Sequence, residues 1–186
     1  MSTALIYILL GLLLAVVAGV LLQRFLGFRS QKPDDYAGQG NEFDIRKHLS
    51  GPMICEGVIY GPTGRVNTRF VANMNAKWVG NSGYMTEEFR YDTGGSLDRE
   101  WTLRLSGDGG FMATAPDIVG VGKGRQAGSA VELKYAIKLP ESAGGHVLDT
   151  TDWMYLMENG TIINRSQMRK FGIKVGELVA TIRKAA

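Results

Sequence analysis

The sequence predicts a mainly β protein, an antiparallel barrel or strongly curved sheet of about eight to ten strands, carried by one N-terminal transmembrane helix. Three observations support this fold class. A single long apolar run opens the chain, polar and apolar residues alternate with period two beyond residue 53, and glycine-rich turn signals separate the alternating segments. We therefore expect one membrane-spanning element and one β domain.

The apolar run begins at Ala4, ends at Leu22 and holds 19 uncharged residues. As a helix it would be about 28 Å long, close to the roughly 30 Å of hydrocarbon in a bilayer. The start of the chain has no basic residue, and no small-x-small cleavage site follows the run, so an uncleaved anchor is favoured over a signal peptide. The expected organisation is an anchor at 1–29, a polar linker at 30–43 and a β domain at 44–186.

The body of the chain alternates in the manner of strands. Between Thr68 and Trp78, and again between Val131 and Leu139, every second residue is apolar while most of those between are polar. This is the pattern of a sheet with one face on a core, and the spacing does not suit an amphipathic helix. A short helical turn is expected within 44–49. Turn signals separate the strands at 61–64, 80–83, 92–95, 107–110, 141–145 and 158–160.

A meander of this many strands tends to close on itself, because closure removes exposed edges. The expected fold is therefore lipocalin-like (calycin-like). The interior of such a barrel has room for its own side chains or for one small ligand.

Composition excludes several classes of function. The net charge of +3 argues against a nucleic-acid binder. The one cysteine, Cys55, excludes an intrachain disulfide and a zinc site built from several thiolates. Residues 120–128 contain a G-x-G spacing, but a strand follows where phosphate binding requires a helix, so a glycine-rich bend or bulge between strands is favoured. No metal and no cofactor are expected.

Four segments of the chain carry a family resemblance: EFRYDTGG at 88–95, REW at 99–101, and longer stretches at 115–135 and 149–177. The most distinctive residues are Asp152-Trp153-Met154, Asn164-Arg165 and Lys170-Phe171-Gly172. From about residue 43 to its end the chain resembles the proteobacterial family known as domain of unknown function 3833. The resemblance implies a compact β domain tethered to a membrane, in a family whose members accompany enzymes that modify unsaturated fatty acids.

The two indications of location disagree. Arg24, Arg29 and Lys32 all follow the apolar run, and the positive-inside rule then favours a cytoplasmic domain. Many members of the family that the chain resembles look like lipoproteins, which implies a periplasmic domain on the bacterial inner membrane. We expect the periplasmic side. This chain departs from those relatives because its anchor region has no cysteine for a lipid.

Candidate ligand-binding residues are those that place a charge, an amide or a large aromatic ring where a barrel could enclose it. Glu87 and Asp152 share strand faces with apolar residues, which favours either a site or a structural ion pair such as Asp152 with Arg165. If the turn near Asn159 is a tight hairpin, Asp152 lies almost opposite Ser166 and is held by the 164–167 segment. The full candidate set is Glu87, Trp101, Arg125, Asp152, Trp153, Asn164 and Arg165.

Three functions remain open. The first is a non-catalytic binding or accessory protein that holds an apolar, lipid-like or fatty-acyl ligand or assists a membrane lipid-modifying enzyme. The second is an enzyme that acts on lipid through inward carboxylates, which requires those carboxylates to converge on a pocket with perturbed pKa values. The third is a structural subunit of a membrane complex, because Gly11, Ala15 and Gly19 recur every four residues and allow close helix packing.

Overall fold

The computed structural model describes residues 2–185, without the side chains of Gln23, Arg24 and Ser142. The positive charge expected of Arg24 after the apolar run therefore lies outside the described side chains. Helix α1 spans Thr3–Phe25, and the hydroxyl of Ser2 caps its first turn. Its segment Thr3–Leu22 is long and apolar enough to cross a membrane or to act as a signal sequence, and none of it is buried against the rest of the protein.

Ten antiparallel strands form a closed barrel in which each strand pairs with the next and the last pairs with the first. This confirms the predicted antiparallel barrel, at the upper end of the expected strand number. The strands are β1 (Gly51–Tyr60), β2 (Val66–Val79), β3 (Ser82–Tyr91), β4 (Ser96–Leu105), β5 (Gly110–Thr114), β6 (Ile118–Ala127), β7 (Ala130–Lys138), β8 (Val147–Leu156), β9 (Ile162–Lys170) and β10 (Ile173–Lys184).

Alternate residues of each strand point into the barrel and fill it, as β2 shows. Phe70, Ala72, Met74 and Ala76 are buried, while the residues between them are exposed. One face of each strand therefore supplies the core, as its polar and apolar pattern predicts.

Glycines allow the barrel wall to bend and side chains to pack closely against its backbone. The pairing of β6 with β7 shifts between Val119 and Lys123, and Gly120 in this stretch has φ +75°. At Gly124 a Cβ atom would lie 2.1 Å from the ring of Phe111, so only glycine fits. The glycine run is therefore a bulge, as predicted, although it lies within a strand rather than between strands.

One end of the barrel is closed by a plug, which we define as residues 43–49. Phe43, Ile45 and Leu49 are buried, and helix α2 (Ile45–His48) forms the short helical turn that the sequence predicts. The indole Nε1 of Trp78 donates to the carbonyl oxygen of Leu49 at 2.7 Å. The plug is thus bonded to the wall as well as packed inside it.

Residues 28–42 form a strap that runs along the outside of the barrel. Two short 3₁₀ helices, Phe28–Ser30 and Pro33–Tyr36, belong to it. The ring of Tyr36 packs 5.4 Å from that of Trp153, and the carbonyl oxygen of Tyr36 lies so close to Gly128 that a Cβ there would clash. The polar segment predicted as a linker therefore covers part of the outer wall.

The end opposite the plug is the mouth, formed by the loops at 61–65, 92–95, 115–117, 139–146 and 171–172. Large apolar side chains are exposed there, among them Val147, Phe171 and Ile173. The two ends of the barrel thus differ in what covers them.

Candidate functional site

A cavity of about 120 Å³ lies inside the barrel between the plug and the mouth. Leu49 and Ile45 of the plug form its floor, and apolar side chains of the strands form most of its wall. A polar cluster interrupts this apolar lining. Its members are Glu87, Arg99, Trp101, Tyr135, Asp152, Asn164 and Ser166.

The first half of the cluster sits on the β3–β4 hairpin. Glu87 and Arg99 are directly opposite in the register of the two strands, so both side chains enter the barrel from the same side. The indole Nε1 of Trp101 donates to the Glu87 carboxyl at 3.2 Å. The Arg99 guanidinium lies 4.1 Å from the centre of the Trp101 ring, and its Nε donates to Asp117 at 3.0 Å.

The second half sits on the β8–β9 hairpin. Asp152 and Ser166 are paired in register, and the Ser166 hydroxyl donates to the Asp152 carboxyl. The prediction that the 164–167 segment holds Asp152 is confirmed. The neighbouring Asn164 side chain donates to the carbonyl oxygen of Trp153 at 3.1 Å, which fixes the orientation of its amide.

Burial changes the acidity of these carboxyl groups. It raises the pKa of Glu87 to about 7, against the opposing effects of Arg99 and Trp101. It also raises the pKa of Asp152 to about 6, with Tyr135 and Arg99 partly offsetting the rise. Both groups can therefore take up or release a proton near neutral pH. Burial also raises the pKa of the Cys55 thiol on the cavity wall to about 12, which keeps it protonated.

Arg99 has an unused hydrogen-bond donor. Its Nη2 is buried and has no partner among the described residues, although Asp117 accepts from Nε of the same guanidinium. An unpaired buried donor on a charged group is unfavourable, and most such donors in folded proteins find a partner. An acceptor oxygen in the cavity, above all a carboxylate, would satisfy it.

The structure brings together four of the seven candidate residues. Glu87, Trp101, Asp152 and Asn164 line the cavity. The other three, Arg125, Trp153 and Arg165, do not line it and lie outside the candidate site.

Each of these three side chains points out of the barrel. Arg125 pairs with Asp34 of the strap at 2.9 Å, and Trp153 is fully buried beneath the strap. Arg165 pairs with Glu177 at 2.6 Å on the outer wall. The predicted ion pair of Asp152 with Arg165 is therefore wrong. Asp152 is paired in register with Ser166, so the side chain of Ser166, and not that of Arg165, shares its inward face.

Sequence reasoning missed Arg99. The signal was present, because Arg99 lies two residues before Trp101 and so shares its inward face. The turn at 92–95 also places Arg99 opposite Glu87. For metals, the residues that the structure describes contain no group of three or more His, Cys, Asp and Glu side chains that could hold an ion.

The chain matches a known protein family. The family model described as "Protein of unknown function (DUF3833)" matches residues 22–184. No curated protein has a sequence that matches this chain.

Two solved structures share the barrel. The S-type phycobiliprotein lyase CPES from Guillardia theta has a TM-score of 0.56 at 9% sequence identity, over 76% of this chain and 91% of its own. The protein Rv2717c from M. tuberculosis has a TM-score of 0.51 at 19% identity, over 75% of this chain and 94% of its own. At these identities the likeness extends to the fold alone, and it supports a lipocalin-like (calycin-like) barrel.

Proposed function

This chain belongs to the DUF3833 family, and we propose that it is a membrane-tethered, non-catalytic protein that binds a lipid-like ligand by its polar end inside the barrel. The observation that supports this most directly is the unpaired Nη2 of Arg99 beside an apolar cavity. A guanidinium is well suited to a carboxylate, because its planar donors match the two oxygens. A fatty acid supplies both the carboxylate and the apolar chain.

The size of the cavity limits what it encloses. A volume of about 120 Å³ is far below that of a whole acyl chain. A dry apolar cavity of about 150 Å³ binds a molecule the size of benzene. The bound portion is therefore the carboxylate and the first few carbons, and the rest of the chain leaves through the mouth.

Neutral carboxyl groups help an anionic ligand to bind. When Glu87 and Asp152 are protonated they place no negative charge near the ligand, and each can donate a hydrogen bond to it. Because their pKa values are raised to about 7 and about 6, this state is populated at mildly acidic pH. Binding of a carboxylate should therefore weaken as the pH rises from 6 to 8.

The cellular role rests on α1. Its length and apolar composition suit a single-pass inner-membrane anchor, which would hold the barrel where acyl chains are found. In this proposal the domain lies in the periplasm and serves a membrane enzyme that modifies fatty acids, as a carrier or accessory subunit.

The test compares two short probes with and without Arg99. The full-length protein in detergent is titrated calorimetrically with hexanoate and with hexanol, which differ in the carboxylate. We expect hexanoate to bind the parent protein more tightly, and Arg99→Met to weaken hexanoate at least tenfold, or about 1.4 kcal/mol. Arg104→Met is the matched control, because Arg104 lies on the same strand and is exposed. Equal binding of both probes by the parent, or unchanged binding by Arg99→Met, would contradict the proposal.

A second candidate is acid–base catalysis on a lipid. The convergence of Glu87 and Asp152 on one cavity, both with raised pKa values, favours it. Membrane lipids incubated with parent protein, Glu87→Gln or Asp152→Asn and then analysed by mass spectrometry separate the two functions. A product formed only by the parent, with hexanoate binding retained by the variants, would identify an enzyme.

A further inference from the structure

The tip of the β9–β10 hairpin has an unusual residue in its turn. Phe171 and Gly172 both have positive φ, at 51° and 79°. Two-residue turns with this backbone favour Asn-Gly or Asp-Gly, and a bulky aromatic residue is disfavoured at the first position. The side chain of Phe171 is 91% exposed. Packing within the barrel therefore gives no reason for a phenylalanine here.

The surroundings of the tip are apolar and basic. Ile173 beside it is 69% exposed. Lys170 places its ammonium 5.7 Å from the centre of the Phe171 ring, and Arg169 and Lys174 flank the turn. Lys174 shares Glu177 with Arg165, so the cations outnumber the carboxylates. An exposed aromatic side chain and an exposed aliphatic side chain, both surrounded by basic side chains, suit the head-group region of an anionic bilayer.

The hydrophobic helix passes the same tip. Phe28 packs 5.0 Å from the guanidinium of Arg165, which lies in the middle of β9. Val20, near the end of α1, lines one groove together with Phe171 and Ile173 at the end of that hairpin. Val20 of α1 and Phe28 of the strap therefore line one groove beside the β9–β10 tip.

We propose that the β9–β10 tip is a second membrane contact, which inserts among anionic lipid head groups beside α1 and turns the mouth of the barrel toward the bilayer. This rests on the proposed anchoring by α1 and goes beyond it, because a single helix alone leaves the domain free to rotate. Phe171 and Ile173 enter the interface while Lys170 and Lys174 meet lipid phosphates. A ligand head group then reaches the cavity from the membrane without crossing bulk water.

A pair of cysteine variants tests the orientation. Cys55 is buried and is the only cysteine, so the parent protein should remain unlabelled by an environment-sensitive fluorescent thiol reagent. Phe171→Cys places the dye at the mouth. Asn159→Cys places it in the turn at the opposite end of the same strand, β9, and serves as the control. Both full-length proteins are reconstituted into vesicles of phosphatidylcholine, with and without phosphatidylglycerol.

We expect the dye at position 171 to shift to the blue and brighten several-fold in vesicles, more so with the anionic lipid, while the dye at position 159 emits as in water. If the protein floats with the vesicles but both dyes emit as in water, the mouth does not face the bilayer and the inference is overturned while the anchor stands. If the protein does not float with vesicles at all, the anchor and this inference fail together. Hexanoate binding in detergent tests the ligand site independently of either result.

Discussion

The plug and the mouth close the same barrel in opposite ways. At the plug, Phe43 is 2% exposed and sits among buried neighbours, whereas at the mouth Phe171 is 91% exposed. Two residues of one type thus occupy the two extremes of exposure at the two ends of one sheet. Burial of the first must stabilise the fold, because it removes a large apolar area from water. Phe171 buries almost no apolar area, so it does not stabilise the barrel in this way.

The largest expected effect separates the two phenylalanines. Phe43→Ala should lower the free energy of unfolding by about 3–5 kcal/mol, because it leaves a cavity in the plug. Phe171→Ala should change it by less than about 0.5 kcal/mol, since the side chain is exposed. Urea unfolding of both variants in the same detergent measures the difference. Equal losses would mean that Phe171 is packed in solution and that the two ends of the barrel do not differ in this way.

A smaller effect comes from the polar cluster between the two ends. The pKa values of Glu87 and Asp152 are raised in the folded state, so their contribution to stability is fully present below about pH 4 and is lost as the pH rises through about 6 and 7. The parent protein should therefore be less stable at pH 8 than at pH 5 by roughly 4 kcal/mol.

Glu87→Gln should remove more than half of this pH dependence, because glutamine does not titrate. Glu88→Gln is the control, since Glu88 is the next residue on β3 and is exposed. Urea unfolding at the two pH values decides the matter. An unchanged pH dependence in Glu87→Gln would show that Glu87 ionises normally in the folded protein.

The smallest effect concerns the bond between plug and wall. Trp78→Phe removes the 2.7 Å hydrogen bond to the Leu49 carbonyl and should cost about 1 kcal/mol. It should also speed labelling of Cys55 by a thiol reagent, because that thiol is buried on the cavity wall above the plug. Val79→Ala, a change at an exposed neighbour, should alter neither quantity. Labelling that is as slow as in the parent would mean that the plug opens independently of this bond.

Most of the fold follows from local patterns in the sequence. The apolar positions of β2, β4 and β7 alternate, and the glycines of the turns at 92–95 and 158–160 mark where strands reverse. Tight hairpins then determine the register, which is why the pairing of Asp152 with Ser166 could be predicted. These contacts join residues that lie close together in the sequence, so they can be predicted from it.

The site was harder to predict, because alternation shows which residues share a face without showing what covers that face. Trp153 is apolar and buried, yet it lies on the outer wall, where Tyr36 of the strap covers it. Nothing in the local pattern of β8 indicates that a segment more than 100 residues earlier packs there. Arg165 and Arg125 were misplaced for the same reason, since their partners, Glu177 and Asp34, lie on other elements.

The pairing of β1 with β10, which runs from Met53 opposite Lys184 to Tyr60 opposite Glu177, affects how the protein is made. Helix α1 leaves the ribosome before the barrel and, being a local structure, can form while the strands are still being translated. The barrel has no such option, because β1 must wait with an open edge until the last strand has been synthesised. Contacts so distant in sequence form slowly, and an open edge invites pairing with other chains. A chain that stops before Glu177 would lose this pairing, so nascent copies should depend on chaperones until β10 has been synthesised.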